Sequence, residues 1–193
     1  MIKNNIEIIP NKILLSIKNA IDPHNCKNMI DITENIGYKR VSLYTDKDGV
    51  EHFDDNSRKG LRCIVDDHNF AKQLEEIIFD YIPKIYNNMK YHSINPRFRY
   101  LKYDNCGYFA RHSDSPYIVD EKISLITILI YLNCEYTGGF TTFFKDINDR
   151  RGFTLIPETG MICLMDQTIG HKVPPIIKGI KYVVRTELMY ISI

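Results

Sequence analysis

The chain has 193 residues, 44% of them hydrophobic and 25% charged, which suits one domain large enough to bury a sizeable core. Its formal net charge is +1, with acids and bases mixed along the chain and no basic run, and this argues against a dedicated nucleic-acid binder. No run of about 18 apolar residues is present to span a membrane, and the opening MIKNNIEIIP lacks the apolar stretch of a secretion signal, so the expected setting is cytoplasmic.

In chain order, Ile6 to Ile9 and Ile13 to Ile17 read as short strands, the second apolar on both faces. Asp22-Pro23 reads as an N-cap followed by proline at the first helical position. It opens a helix over Pro23 to Ile36 that covers one face with Cys26, Met29, Ile30 and Thr33 and stops at Gly37. Tyr38 to Tyr44 reads as a strand. The segment TDKDGVEHFDDNSRKG that follows has no periodicity and many turn formers, so residues 44–60 form either a disordered loop or a lid. Arg58 and Arg62 here could reach an acidic substrate; the plainer alternative is solvated arginines. A helical pattern resumes over Asp66 to Tyr86, with Phe70, Leu74, Ile77, Ile78 and Tyr81 on one stripe and Pro83 kinking or ending it.

From Arg97 onward the pattern changes to strands: Arg97 to Tyr103, Tyr108 to His112, Lys122 to Leu132, Thr141 to Phe144, Phe153 to Ile156, Met161 to Met165 and Lys181 to Ile191. Many short strands after a helical N-terminal third predict a mainly β, α+β fold, a sandwich or barrel backed by helices. Lys122 to Leu132 is apolar on both faces and is expected at the centre of a sheet. One face carries Leu125, Thr127, Leu129 and Tyr131, and the phenol then needs a partner, because a buried unsatisfied hydroxyl costs about 1–3 kcal/mol. The five cysteines, Cys26, Cys63, Cys106, Cys134 and Cys163, never fall in C-x-x-C spacing, which favours free thiols over a disulfide framework or a zinc site. His24, His52, His68 and His92 lie outside the strands and read as surface residues.

One stretch, YDNCGYFARHSDSP from Tyr103 to Pro116, holds His112 and Asp114. In an extended strand residues two apart share a face, so imidazole and carboxylate can aim at one point. Alone, the pair is first read as two polar residues on a surface strand. His171 downstream changes that, because two His and one carboxylate make a facial triad that leaves open positions on an iron ion. In the last strand Lys181, Val183 and Arg185 share a face. Buried cations there need counter-charges, which a dicarboxylate ligand would supply, with Tyr131 donating to the same anion.

The segment Tyr103 to Asp114, the GGFTTFF at Gly138 to Phe144 and the spacing from His171 to Lys181 together resemble the Fe(II)/2-oxoglutarate-dependent dioxygenases, in their prolyl 4-hydroxylase-like branch. The likeness covers about residues 95–192. It implies one domain over 1–193, with a double-stranded β-helix (jelly-roll, cupin-like) core at 96–193 and helical, strand and lid support at 1–95. It implies Fe(II) held by His112, Asp114 and His171, with 2-oxoglutarate and dioxygen as cosubstrates and ascorbate as a reductant. Lys181 would pair with the distal carboxylate of 2-oxoglutarate, Tyr131 would hydrogen-bond it, Tyr103 would lie near it and Thr141 would line its pocket. Arg185 departs from the branch's commonest pattern. It faces the substrate or the cosubstrate's other end, or replaces Lys181 on the distal carboxylate, or simply pairs with Glu187 or a loop acid; Lys181 is the favoured partner of the cosubstrate.

The activity so implied is hydroxylation of an unactivated C–H bond with release of succinate and carbon dioxide. The expected substrate is a prolyl or other side chain of a protein or peptide, gripped by residues 44–60 and Arg111. A free amino acid or small metabolite is the alternative, and a silent barrel that binds a ligand or protein is the alternative of another class. Iron binding separates the last from the others.

Overall fold

A computed structural model describes residues 2–5, 11–45, 47–104, 106–145 and 148–193. From Arg97 onward the chain passes back and forth between two antiparallel sheets. Arg97–Tyr103, Lys122–Tyr131, Ile162–Asp166 and Lys181–Ser192 belong to the larger one; Tyr108–His112, Thr142–Phe144, Phe153–Thr154 and Gly170–Val173 belong to the smaller. This alternation is the expected double-stranded β-helix. Leu14–Lys18 extends the larger sheet beside Ile162–Asp166, and Leu61–Asp66 extends it beside Arg97–Tyr103. The prediction at Ile6 to Ile9 falls outside the described residues; the first strand is Ile2–Asn5.

The side-chain alternation of the two longest strands decides what lies on each face of the larger sheet. Ile126, Ile128 and Ile130 join Val184, Leu188 and Tyr190 in a core completed by Cys26 of α1 (Pro23–Ile36) and by Ala71, Leu74 and Ile78 of α2 (His68–Ile78). Leu129, Tyr131 and Val183 point the other way, into the space between the sheets. Each fully buried aliphatic side chain contributes roughly 1.5–3 kcal/mol, so the register of both strands is held from both sides. Lys122–Tyr131 pairs with Ile162–Asp166 and with Lys181–Ser192 and is central, as its two apolar faces predict. In α1 the Asp22 side chain accepts from His24 N at 2.8 Å, and Gly37 N donates to Thr33 O, so both ends stop where the capping residues stand.

Two expectations are corrected. The helical pattern over Asp66 to Tyr86 is too long. α2 starts behind the N-cap Asp67, a single 3-10 turn carries it to Tyr81, and Ile85–Tyr86 is a strand paired with Met89–Ile94. Pro83 ends the helix, and Asn87 and Asn88 at φ 49° and 59° make the left-handed pair that a tight hairpin needs. Residues 44–60, expected as either a disordered loop or a lid, hold paired strands among the described residues: Tyr44–Thr45 pairs with Glu51–His52, and Arg58–Lys59 pairs with Tyr108–His112. The strand predicted over Tyr38 to Tyr44 is reduced to Lys39–Arg40 and the start of that hairpin.

Gly160 joins the sheet to α1. Its carbonyl accepts from Ala20 N and Ile21 N, and a Cβ built on it at φ +78° would sit 1.9 Å from the Ile21 carbonyl oxygen. Backbone cannot yield as a side-chain tip can. Gly160→Ala is therefore expected to cost at least about 2 kcal/mol, read as a fall of roughly 4–8 °C in Tm. An unchanged melting curve would contradict this reading.

Candidate metal centre

His112 ends its strand, His171 sits in Gly170–Val173 directly across from it in register, and Asp114 lies just beyond the strand end. The expected mechanism of two residues on one strand face is thus replaced by a strand end plus a loop. Asp114 N donates to Gln167 O at 2.9 Å, which turns the carboxylate back toward the imidazoles. One ligand atom from each of the three residues lies within 4.8 Å of the others.

The partners of each ligand select the atom it offers. Nδ1 of His112 lies 2.8 Å from Ala110 O and Nδ1 of His171 lies 3.0 Å from Ile169 O. A carbonyl only accepts, so each Nδ1 carries the proton and each Nε2 keeps its lone pair. Asp114 Oδ2 accepts from Thr127 Oγ1 at 2.6 Å, leaving Oδ1 as the nearer atom to His112.

Ionisation agrees with this arrangement. Burial, helped by the neighbouring His171, pushes His112 down to about 3, and burial also lowers His171. For Asp114 burial alone would raise the pKa; the Arg185 guanidinium, His171 and the Thr127 hydrogen bond outweigh it and hold the carboxyl at about 2. Near neutral pH the site is therefore two neutral imidazoles and one carboxylate, the donor set and protonation state that a divalent iron ion requires.

Lys181 lies deeper between the sheets. It is 0% exposed, and its Nζ donates to Gly139 O at 2.8 Å and to Thr141 Oγ1 at 3.2 Å, both neutral groups. Desolvation lowers its pKa to about 7. The Tyr131 hydroxyl donates to the same Thr141 oxygen at 3.1 Å, and Tyr103 stands opposite Lys181 in register. Positive φ at Gly138 and Gly139 bends the chain so that a backbone carbonyl meets the ammonium. A buried cation with two of its three N–H groups on neutral acceptors has room for one carboxylate.

Arg185 does not share that environment. Its Nη2 is 3.3 Å from Asp114 Oδ1 and its Nη1 is 3.3 Å from Glu187 Oε1, the loop-acid and Glu187 pairings that the sequence left open. Arg99, which sequence reasoning passed over, donates to both Glu187 oxygens at 2.8 and 3.1 Å. Arg99, Arg185, the triad and Lys181 line one cleft of about 390 Å³, together with Tyr44, Arg58 and Arg62 at its mouth. Arg111 is not part of it. It donates to Asp149 O and lies over the Phe144 ring on the far face of the smaller sheet, so its assignment to the substrate groove does not hold. The other four histidines stay outside the cleft.

Thr127, Gln167 and Phe109 were also missed as site residues. Thr127 was placed on the right face but with no role; it is fixed by Gln167 Nε2 at 3.3 Å and fixes Asp114 in turn. Phe109 stacks on His112 at 3.5 Å because a bulge between them brings residues three apart to one face. Thr127→Val keeps the shape and removes the hydrogen bond. It is expected to weaken metal binding about 10-fold, measured by competition with a chromogenic chelator; unchanged affinity would remove Thr127 from the site.

No family model matches the sequence, and no curated protein matches it. Solved structures match through shape. A prolyl hydroxylase from Trichoplax adhaerens, in complex with a hypoxia inducible factor oxygen degradation domain peptide fragment, is 14% identical with TM-score 0.68 over 93% of this chain and 83% of its own. The viral collagen prolyl hydroxylase vCPH from Paramecium Bursaria Chlorella virus-1, in its 2OG complex, is 14% identical with TM-score 0.61 over 93% of this chain and 96% of its own. HygX from Streptomyces hygroscopicus, with nickel and 2-oxoglutarate bound, is 10% identical with TM-score 0.61 over 97% of this chain and 86% of its own. At these identities the likeness establishes a common fold.

Proposed function

We propose that the chain is an Fe(II)- and 2-oxoglutarate-dependent dioxygenase that hydroxylates an unactivated C–H bond, with a prolyl residue of a protein or peptide as its first substrate class. The observation that carries this reading is the pairing within one cleft of three converging metal-ligand atoms and a buried ammonium without a carboxylate partner among the described residues. Residues 1–193 act as one catalytic unit, 96–193 holding the chemistry and 1–95 the support and mouth.

His112, Asp114 and His171 would hold the iron, which together with 2-oxoglutarate and dioxygen would supply the oxidising power, with ascorbate as an external electron donor. Lys181 binds the distal carboxylate of 2-oxoglutarate, while Thr141 and Tyr131 keep its ammonium pointed at that group. Tyr103, Leu129 and Val183 wall the cosubstrate off from water, which strengthens the charge pair. Arg185 is committed to Asp114 and Glu187 and orients the ligand carboxylate instead of binding the cosubstrate.

The prolyl substrate class is supported by two of the fold relatives, which are prolyl hydroxylases, one of them holding a peptide fragment. A free amino acid or other small metabolite is the second reading, favoured by a cleft of about 390 Å³, a volume typical of small-ligand sites. The test is an anaerobic titration of metal-free protein with Fe(II) and then 2-oxoglutarate. A visible charge-transfer band that needs both, followed in air by succinate release, is the expected result; no band from a folded protein would sink the reading.

A further inference from the structure

The mouth of the cleft holds more positive charge than its walls neutralise. Arg58 comes from the strand that edges the smaller sheet, and Arg62 from a strand of the larger sheet, so the two guanidinium groups face the cleft from opposite sides. Arg58 Cζ lies over the Phe109 ring at 4.2 Å from its centroid, and Phe109 stacks on His112, so a run of contacts leads from Arg58 to the metal centre. Arg58 Nε is buried and finds no hydrogen-bond partner among the described residues. Arg62 reaches Ser42 Oγ at 3.3 Å and Glu51 Oε1 at 3.4 Å, and Glu51 is half exposed at the rim. Burial first, and then the repulsion of Arg58, lower the Arg62 pKa, which places the two cations within each other's field. Every other charge in the cleft has an assigned partner. Arg99 and Arg185 share Glu187, Arg185 also holds Asp114, and Lys181 awaits the cosubstrate.

Two guanidinium groups on different sheets, one of them without a carboxylate partner among the described residues, form a fork that an oxygen anion would close. We infer that the substrate carries a carboxylate, gripped at the mouth of the cleft between Arg58 and Arg62, and that this group sets how its target carbon meets the metal. The inference rests on the dioxygenase reading for its catalytic meaning, while carboxylate binding itself does not depend on iron. The carboxylate comes either from the end of a small molecule or from an acidic side chain in a peptide.

The test uses two matched pairs, N-acetyl-L-proline against its amide and acetyl-Pro-Glu-amide against acetyl-Pro-Gln-amide. Binding to the full chain is followed by ligand-observed NMR without metal, and by perturbation of the anaerobic charge-transfer band with Fe(II) and 2-oxoglutarate present. In at least one pair the acid is expected to bind at least about tenfold more tightly than the amide, a factor typical of one charge-assisted contact. That advantage should shrink to within about threefold in Arg58→Gln and in Arg62→Gln, and Arg62→Lys should restore part of it. Preference in the first pair identifies a small-molecule acid, and in the second an acidic peptide. Equal binding of acid and amide in both pairs overturns the inference, as does a preference that survives both Gln variants. An arginine-dependent preference without any band would leave the carboxylate site standing and remove the dioxygenase reading instead.

Discussion

The His112→Ala protein is expected to fold, to bind Fe(II) at least about 100-fold more weakly than the parent, and to give no charge-transfer band on addition of 2-oxoglutarate. The magnitude follows from the metal site: loss of a partner behind a ligand already costs about 10- to 100-fold in affinity, and loss of the ligand costs more. The fold should survive, because His112 is half-buried at a strand end and its removal leaves the interleaved Ile and Leu core untouched. The parent site has a pH signature as well. Ligand nitrogens bind metal only when unprotonated, and burial holds His112 at about 3. Iron affinity should therefore stay level as pH falls through the ordinary imidazole range near 6.5. A parent protein that loses iron with a midpoint near 6.5, or a variant that keeps the band, would show that these imidazoles are not the ligands.

Lys181→Met separates two effects that usually move together. Removing one partner of a buried charge pair costs about 2–5 kcal/mol of binding, or roughly 30- to 4,000-fold in affinity for 2-oxoglutarate. Without cosubstrate the same substitution should raise the melting temperature, because it replaces a buried ammonium on neutral acceptors with an apolar chain of similar reach. The sign with pH is fixed by the depressed pKa. Burial takes Lys181 from 10.5 to about 7, so between those values the unfolded chain holds a proton that the folded chain has released. Stability then rises with pH across that window; below about 7 both states are protonated and the full cost of burying the charge remains. The comparison belongs between pH 7 and about 8.5, below the titration of the buried thiols. Burial pushes Cys26 and Cys163 from 9.0 up to about 11 and about 12, and these destabilise the fold as pH rises. In Lys181→Met the rise over pH 7 to 8.5 should flatten. A variant that melts lower than the parent and keeps its 2-oxoglutarate affinity would assign the distal carboxylate to another group.

Much of the site was legible because its residues carry chemistry that simple burial does not explain. Two histidines, an aspartate and a lysine at fixed spacing among strands ask for a ligand, and local periodicity was enough to place His112, Thr127, Tyr131 and Lys181 on the right faces. The strand that carries His171 was not read at all, since Gly170 and Pro174 mask a four-residue strand flanked by turn residues. Arg111, expected in the substrate groove, obeys strand alternation instead: as the neighbour of His112 it points to the opposite face, onto Phe144 and Asp149 O.

The sequence by itself determined the capped helix at Pro23–Ile36 and the central strand, which follow from the local rules of capping and side-chain period. The β-helix and the candidate roles of His112, Asp114, His171 and Lys181 came from the resemblance of its motifs, and the fold brings the ligand atoms of the first three together. Only the tertiary structure decided which carboxylate each cation meets. Arg185 meets Glu187, two residues on along its own strand, and Asp114 from the loop after Tyr108–His112, while Lys181 is left with a carbonyl and a hydroxyl; the folded arrangement sets which of these charges share a low-dielectric space.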